Sequence, residues 1–441
     1  MIRTLQQCME ESKMDKLQEK QLVDLLYSEL VPALGCTEPI AIAYAAAKAR
    51  QVLGMMPEHI DICCSGNIIK NVKGVLVPNS GGMKGVGAAA VLGVVGGNAD
   101  LALEVLSEVT EAHIAETKNL LEDGFFSCQL QEGVANLYIV ATVTADGHTA
   151  SVTIVNRHTM IAEMTKDGQT IYQLSQYAEA QKEKEQTKPW TLTMEGILDF
   201  ANTAELEAVR PLLDSQIEMN TAIAREGLSN VYGAQVGRTL LDCYPEDVRT
   251  RARAYAAAGS DARMGGCSLP VVINSGSGNQ GMTVSLPVLQ YAEKWGISDE
   301  KKYRALLISN LTAIHLKHYI GSLSAFCGAI TAACAAGAAI TYMAGGTFTQ
   351  ICNTIINTLA NVGGVVCDGA KASCAAKIAS AVDAAILGHQ MSMMGRSFPG
   401  GDGIIQDNIE DTIKSIGYVG RVGMKETDIE ILNIMMDHVE L

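Results

Sequence analysis

A chain of 441 residues is longer than one hydrophobic core needs, so two or three domains are expected. Its 48% apolar content excludes a disordered chain, and a formal charge of -15 without any Lys/Arg block excludes a nucleic-acid surface. Twelve cysteines in so long a chain point away from a disulfide framework and toward core thiols, metal ligation or a reactive thiol. The polar start from Met1 to Gln21 has neither the basic flank nor the apolar run of a secretory signal, so a cytoplasmic location is expected.

Lys16 to Leu30 reads as a helix, with Leu22, Leu25, Leu26 and Leu30 on one face and Lys16, Lys20 and Asp24 on the other. Val31 to Gly35 breaks it, and Pro39 opens an Ala-rich helix from Ile40 to Leu53. Two β-like pieces follow, Ile60–Cys64 and Val72–Val77, separated by Ser65-Gly66-Asn67. Further helices are expected over Gly85–Val95 and Leu101–Thr117. A meander of alternating segments then runs to Leu174, with Asp146-Gly147 and Asp167-Gly168 as hairpin turns. Ala180 to Pro189 is charged and reads as an exposed boundary, after which helical patterns continue to the C-terminus. The fold class is therefore α+β, mainly α: a large Ala/Gly-rich helical domain with a smaller α/β domain containing an antiparallel sheet. The divisions are 1–59, an N-terminal helical segment packing on the catalytic domain, 60–188, the α/β domain, and 189–441, the helical catalytic domain. His318 to Cys367 contains no Asp, Glu, Lys or Arg, but its Ala, Gly, Ser and Thr content suits buried helices better than a membrane span.

Cys36 precedes a helix in Pro32-Ala33-Leu34-Gly35-Cys36-Thr37-Glu38-Pro39. Cys327 and Cys334 lie seven apart, as do Cys367 and Cys374, so each pair shares a helical face. There is no Cys-x-x-Cys, so neither a zinc ribbon nor a ferredoxin pattern applies. A cysteine in an Ala-rich helix is usually a small hydrophobe, which suits Cys334 and Cys374. Cys36 and Cys367 sit instead at breaks beside acidic neighbours, where a thiolate can be aimed at a ligand.

These segments, together with Cys64-Ser65-Gly66-Asn67, Met264-Gly265-Gly266, Asn274 through Gly281, Cys327-Gly328 and Gly363 through Gly369, resemble the L-cysteine desulfidase family along essentially the whole chain. From roughly Arg263 to Val439 the chain is also similar to the α region of iron–sulfur L-serine dehydratases. The resemblance implies a [4Fe-4S] cluster held by Cys36, Cys327 and Cys367, with one iron left open for a small amino acid substrate. The dehydratases carry Cys-Asp-Pro and a Pro-Cys step where this chain has Cys367-Asp368-Gly369 and a Cys374 without the proline, which favours the desulfidase branch. Whether Cys334 or Cys374 contributes stays open.

The glycine-rich turn Asn274 to Gly281 lacks the ending of a P-loop and the spacing of a dinucleotide fingerprint. Its exposed backbone N–H groups suit an anion, and Asn274, Ser275 and Asn279 are expected to bind the substrate carboxylate or ammonium, the alternative being a tight helix crossing. Ser65 and Asn67 form a similar polar turn, and Lys70 offers a compensating charge for the carboxylate. His315 and His318, three apart, share a helical face and supply a candidate general base, or else a polar seam. No lysine lies in a recognisable pyridoxal phosphate segment, so none of that cofactor is expected. The expected function is L-cysteine desulfidase, with L-serine dehydratase and a non-catalytic small-molecule binding protein as alternatives. No membrane or nucleic-acid partner is expected, and small-residue helices packing across a symmetry axis make a homodimer the simplest assembly.

Overall fold

The computed structural model describes residues 16–175, 192–321 and 323–436, so the charged segment Ala180–Pro189 and the 188/189 boundary lie outside the described residues. In chain order the elements are α1 (Lys16–Glu29), β1 (Pro32–Leu34), α2 (Thr37–Leu53), β2 (His59–Cys64), α3 (Gly66–Val72), α4 (Gly85–Gly96), a 3-10 turn (Ala99–Glu104), α5 (Glu111–Glu122) and β3 (Phe126–Leu130). The meander follows as β4 (Tyr138–Ala145), β5 (His148–Val155), β6 (Ile161–Lys166) and β7 (Gln169–Gln173). The helical half holds α6 (Met194–Thr203), α7 (Arg210–Ser229), α8 (Val236–Cys243), α9 (Val248–Met264), β8 (Pro270–Val272), α10 (Gly278–Trp295), α11 (Asp299–Ile320), α12 (Gly328–Met343), α13 (Phe348–Val362), α14 (Cys374–Met393), α15 (Ile409–Tyr418) and α16 (Lys425–Met435).

The molecule is thus mainly helical with a smaller α/β part, as the alternation and glycine turns imply. Its sheet runs β3-β2-β4-β5-β6-β7. Only the β2–β3 pair is parallel; the four other pairings are antiparallel. Ile139, Ala141, Val143 and Ala145 of β4 all point to one buried face, the period of two expected of a half-covered sheet. Helix α2 packs on that face and is buried along nearly its full length. Alanine lets α4 approach it closely: a Cβ on Gly93 would have no room against the Ala43 carbonyl. In the helical half, the Ala-rich α12 is packed between α10, α11, α13 and α14. Among the described residues no helix is long and apolar enough to cross a membrane.

Three local expectations are corrected. Gly66–Val72 is helical rather than a turn between β pieces, because Ile68, Ile69 and Val72 bury a face spaced for a helix, and Leu76 makes only an isolated bridge to Lys84. Val31–Gly35 is more than a break, since Pro32–Leu34 pairs antiparallel with Pro270–Val272. Leu101–Thr117 is not one helix: the 3-10 turn breaks at Ala102, which takes φ +46, and ends at Glu104, and α5 starts afresh where Thr110 forms a reciprocal capping box with His113.

Candidate functional site

Strand pairing β1–β8 brings the Cys36 turn beside the Asn274–Gly281 turn. Gly35 takes φ +57, a left-handed conformation in which Pro78 occupies the space a side chain would need. This sharp turn delivers Cys36 to the N-cap position of α2. Cys327 holds the same position on α12. Its segment is joined to that of Cys367 by a bridge between Phe326 and Val366, with Cys327 N–H donating to Val365 O at 2.9 Å and Cys367 N–H to Ala325 O at 2.6 Å. Cys374 opens α14, and its sulfur accepts from the Lys371 backbone N–H at 3.4 Å.

These four cysteines line one cavity of about 420 Å³ where the α/β part meets the helical half. Cys334 does not line it; it is buried in the middle of α12 as a small hydrophobe. The Cys327 and Cys367 thiols interact directly, which raises the pKa of Cys327. The same contact lowers that of Cys367, with Lys70 and Lys317 helping against burial. Burial pushes the Cys36 thiol up, and the neighbouring Glu38 carboxylate adds to the shift.

Glu38 is the hub of the cavity wall. It accepts from the Cys36 thiol at 3.2 Å, the Thr37 hydroxyl at 3.1 Å and Asn71 Nδ2 at 3.0 Å. His158 Nε2 lies 4.0 Å away and has no hydrogen-bond partner among the described residues. Burial opposes ionisation of Glu38, but His158, the Cys36 thiol and Arg263 together hold its carboxyl below the usual range. Burial keeps His158 below the ordinary imidazole value despite the Glu38 charge. Arg263 Nε donates to Gly35 O at 2.8 Å, and the Thr37 hydroxyl shares its one proton between Glu38 and Gly276 O, the latter at 2.9 Å, tying the Cys36 turn to α9 and to the glycine turn. Burial pulls the Lys317 pKa down, opposed by Cys367, Cys327 and Glu38.

The cavity brings together Cys36, Cys327, Cys367, Asn67, Lys70, Ser275, Asn279 and His318 of the residues expected from sequence. Lys70 is committed to an ion pair with Asp428. Three others lie away from the lining. Ser65 donates to Asn136 O at 2.6 Å; Asn274 donates to Asn310 Oδ1 at 3.0 Å beneath the turn; His315 is buried with Nε2 2.8 Å from Glu410. Sequence reading gave no role to Glu38, Asn71, His158, Arg263 or Lys317. Glu38 stood inside the cysteine motif and Lys317 between the two histidines, which were the available signals; His158, in the turn after β5, offered none.

Among the described residues, no three His, Cys, Asp or Glu side chains stand close enough to share one metal ion. A polynuclear cluster makes a different demand, because each thiolate binds its own iron. Four cysteines lining one cavity, with Lys70, Lys317 and Arg263 nearby, form a soft sulfur donor set of the kind such a cluster takes.

This chain belongs to the family described as serine dehydratase alpha chain, whose model matches residues 100–433. The match begins well before the Arg263 expected from sequence and takes in most of the sheet. Nearly full-length similarity extends to proteins named UPF0597: one from Lachnoclostridium phytofermentans is 53% identical over 95% of this chain and 100% of the relative. One from Desulfitobacterium hafniense is 50% identical over 94% and 96%, and one from Treponema denticola 47% over 96% and 99%.

Proposed function

We propose that the protein is an iron–sulfur-dependent carbon–sulfur lyase that converts L-cysteine and water to pyruvate, ammonia and hydrogen sulfide. The observation that carries this reading is the convergence of Cys36, Cys327 and Cys367, from three distant segments, on a cavity that also holds the His158 imidazole beside the Glu38 carboxylate. Membership in the serine dehydratase alpha chain family supports a role in amino-acid catabolism. Cys36, Cys327 and Cys367 would hold a [4Fe-4S] cluster, with Cys374 lining the same cavity. When bound, the cluster supplies a Lewis-acidic iron that stabilises the departing sulfur.

The chain's own residues supply the rest. His158 Nε2 is buried, unpartnered and kept neutral, so it is suited to accept the α-proton of a bound amino acid. Glu38 then stabilises the imidazolium that forms, and Thr37 and Asn71 hold that carboxylate in place. Loss of the α-proton and of sulfide leaves an aminoacrylate, which tautomerises and hydrolyses to pyruvate and ammonia. His318, which also lines the cavity, is the second candidate base.

The test replaces Cys36, Cys327, Cys367, Cys334 and Cys374 singly by alanine in anaerobically prepared protein. Iron, acid-labile sulfide and sulfide release from L-cysteine are then measured. The first three variants are expected to lose cluster and activity together, and Cys334→Ala to keep both. Full turnover by iron-free protein, or by Cys367→Ala, rules the mechanism out. The family description favours one second reading, dehydration of L-serine by the same elimination with hydroxide leaving. The ratio of pyruvate formed from the two substrates decides between them.

A further inference from the structure

Besides His158 Nε2, four polar groups on the cavity wall have no hydrogen-bond partner among the described residues. Lys317 is 7% exposed, and its ammonium makes no hydrogen bond or ion pair among the described residues. Of the other cations nearby, Lys70 pairs with Asp428 and Lys371 donates to Lys70 O, while Arg263 spends its Nε on Gly35 O at the base of the Cys36 turn. A buried ammonium is costly unless an anion meets it, and Cys367, Cys327 and Glu38 act on Lys317 only through space, without a hydrogen bond. The amide oxygens of Asn67, Asn71 and Asn279 are buried and accept nothing. Asn71 is 6% exposed, and its amide orientation is fixed by the bond from Nδ2 to Glu38. The site therefore presents an unmet cationic donor and three unmet acceptors to one cavity. A phosphate or a simple carboxylate would satisfy only Lys317 and leave the oxygens orphaned. A zwitterion satisfies both, because an α-ammonium brings three N–H donors and an α-carboxylate brings only acceptors.

We propose that Lys317 binds the α-carboxylate of the substrate and that the amide oxygens of Asn67, Asn71 and Asn279 bind its α-ammonium, so that the cavity selects free α-amino acids with both termini charged. This rests on the reading of the cavity as an amino-acid site and names the groups that choose the substrate. Esters, amides and peptides linked through the α-carboxyl lack Lys317's partner. A keto acid has no donor for the three asparagines, and a hydroxy acid has one where the ammonium has three.

The experiment uses the reconstituted full chain and ligands without a leaving group: L-alanine, L-alanine methyl ester and propionate, titrated by calorimetry under anaerobic conditions. The wild type is expected to bind L-alanine about tenfold or more tighter than either analogue, the scale of one buried charge-assisted hydrogen bond. Lys317→Met should abolish the preference over the ester and keep that over propionate; Asn71→Leu should weaken the preference over propionate and keep that over the ester. Lys317→Arg, which retains the charge, should keep most of the ester discrimination, and iron content with far-UV circular dichroism checks that each variant is folded and loaded. No L-alanine binding by the wild type, or an undiminished ester preference in folded Lys317→Met, overturns the assignment. The outcomes also separate it from the desulfidase reading. Intact discrimination without sulfide release from L-cysteine sinks that reading alone, whereas unchanged KM for L-cysteine in Lys317→Met sinks this one alone.

Discussion

Gly276 takes φ +78, and a Cβ added there would stand 3.0 Å from His158 Cε1. Alanine at this position is therefore strained in its backbone and presses on the ring argued to take the proton. Gly276→Ala is expected to lower sulfide release about tenfold or more, within the range spanned by general-base removal, while iron content stays at the wild-type level. An unchanged kcat would separate His158 from the chemistry. At this scale the cysteines were legible and their partners were not. Cys36 and Cys367 each lie in a segment whose glycines and acidic neighbours announce a turn, whereas Cys327 has no acidic neighbour and was singled out by the family resemblance. Glu38 and His158 meet only because β2, β4 and β5 pair side by side and carry the turn after β5 back to the start of α2. A single sequence does not reveal that meeting. His315 shows the converse: spacing linked it to His318, but its imidazole turns to Glu410 and stacks edge-on against Tyr319.

The short helix α3 owes its position to α16, which packs on it from the far end of the chain. Leu432 fills the space beside Gly66, and Asp428 pairs with Lys70, whose side chain is only 2% exposed. Removing one partner of a buried pair leaves an uncompensated charge, so Asp428→Asn should cost about 3 kcal/mol in urea unfolding. The exposed pair Lys414–Asp411, at 54% and 53% exposure, provides the control: Asp411→Asn should cost under about 1 kcal/mol. Equal losses would mean that α16 does not clamp α3. The long elements, α2 and the hairpins through β7, were readable from period and turn chemistry. Gly66–Val72 was not, because seven residues opening on glycine give too short a pattern, and its burial comes from α16 rather than from its own sequence.

Although sequence suggests separable parts, one hydrophobic cluster runs through the whole molecule, from Ile60 and Val143 in the sheet to Leu306 and Ile340 in the helical half. The two parts are therefore expected to unfold together, giving coincident urea transitions by far-UV circular dichroism and by Trp295 fluorescence after replacement of Trp190 by phenylalanine. Two separated midpoints would show that each part stands alone. The pairing of Lys70 with Asp428 spans 358 residues and carries a consequence for how such a chain is made. During synthesis Lys70 emerges long before its counter-charge, and domains begin to fold from the N-terminal side as they emerge. The sheet and α2 can assemble early, but α3 cannot bury Lys70 at low cost until Asp428 has left the ribosome. The wall carrying Asn67, Lys70 and Asn71 is thus among the last parts of the molecule to set, and a nascent chain halted before residue 428 would hold its cysteines in an open, unfinished pocket.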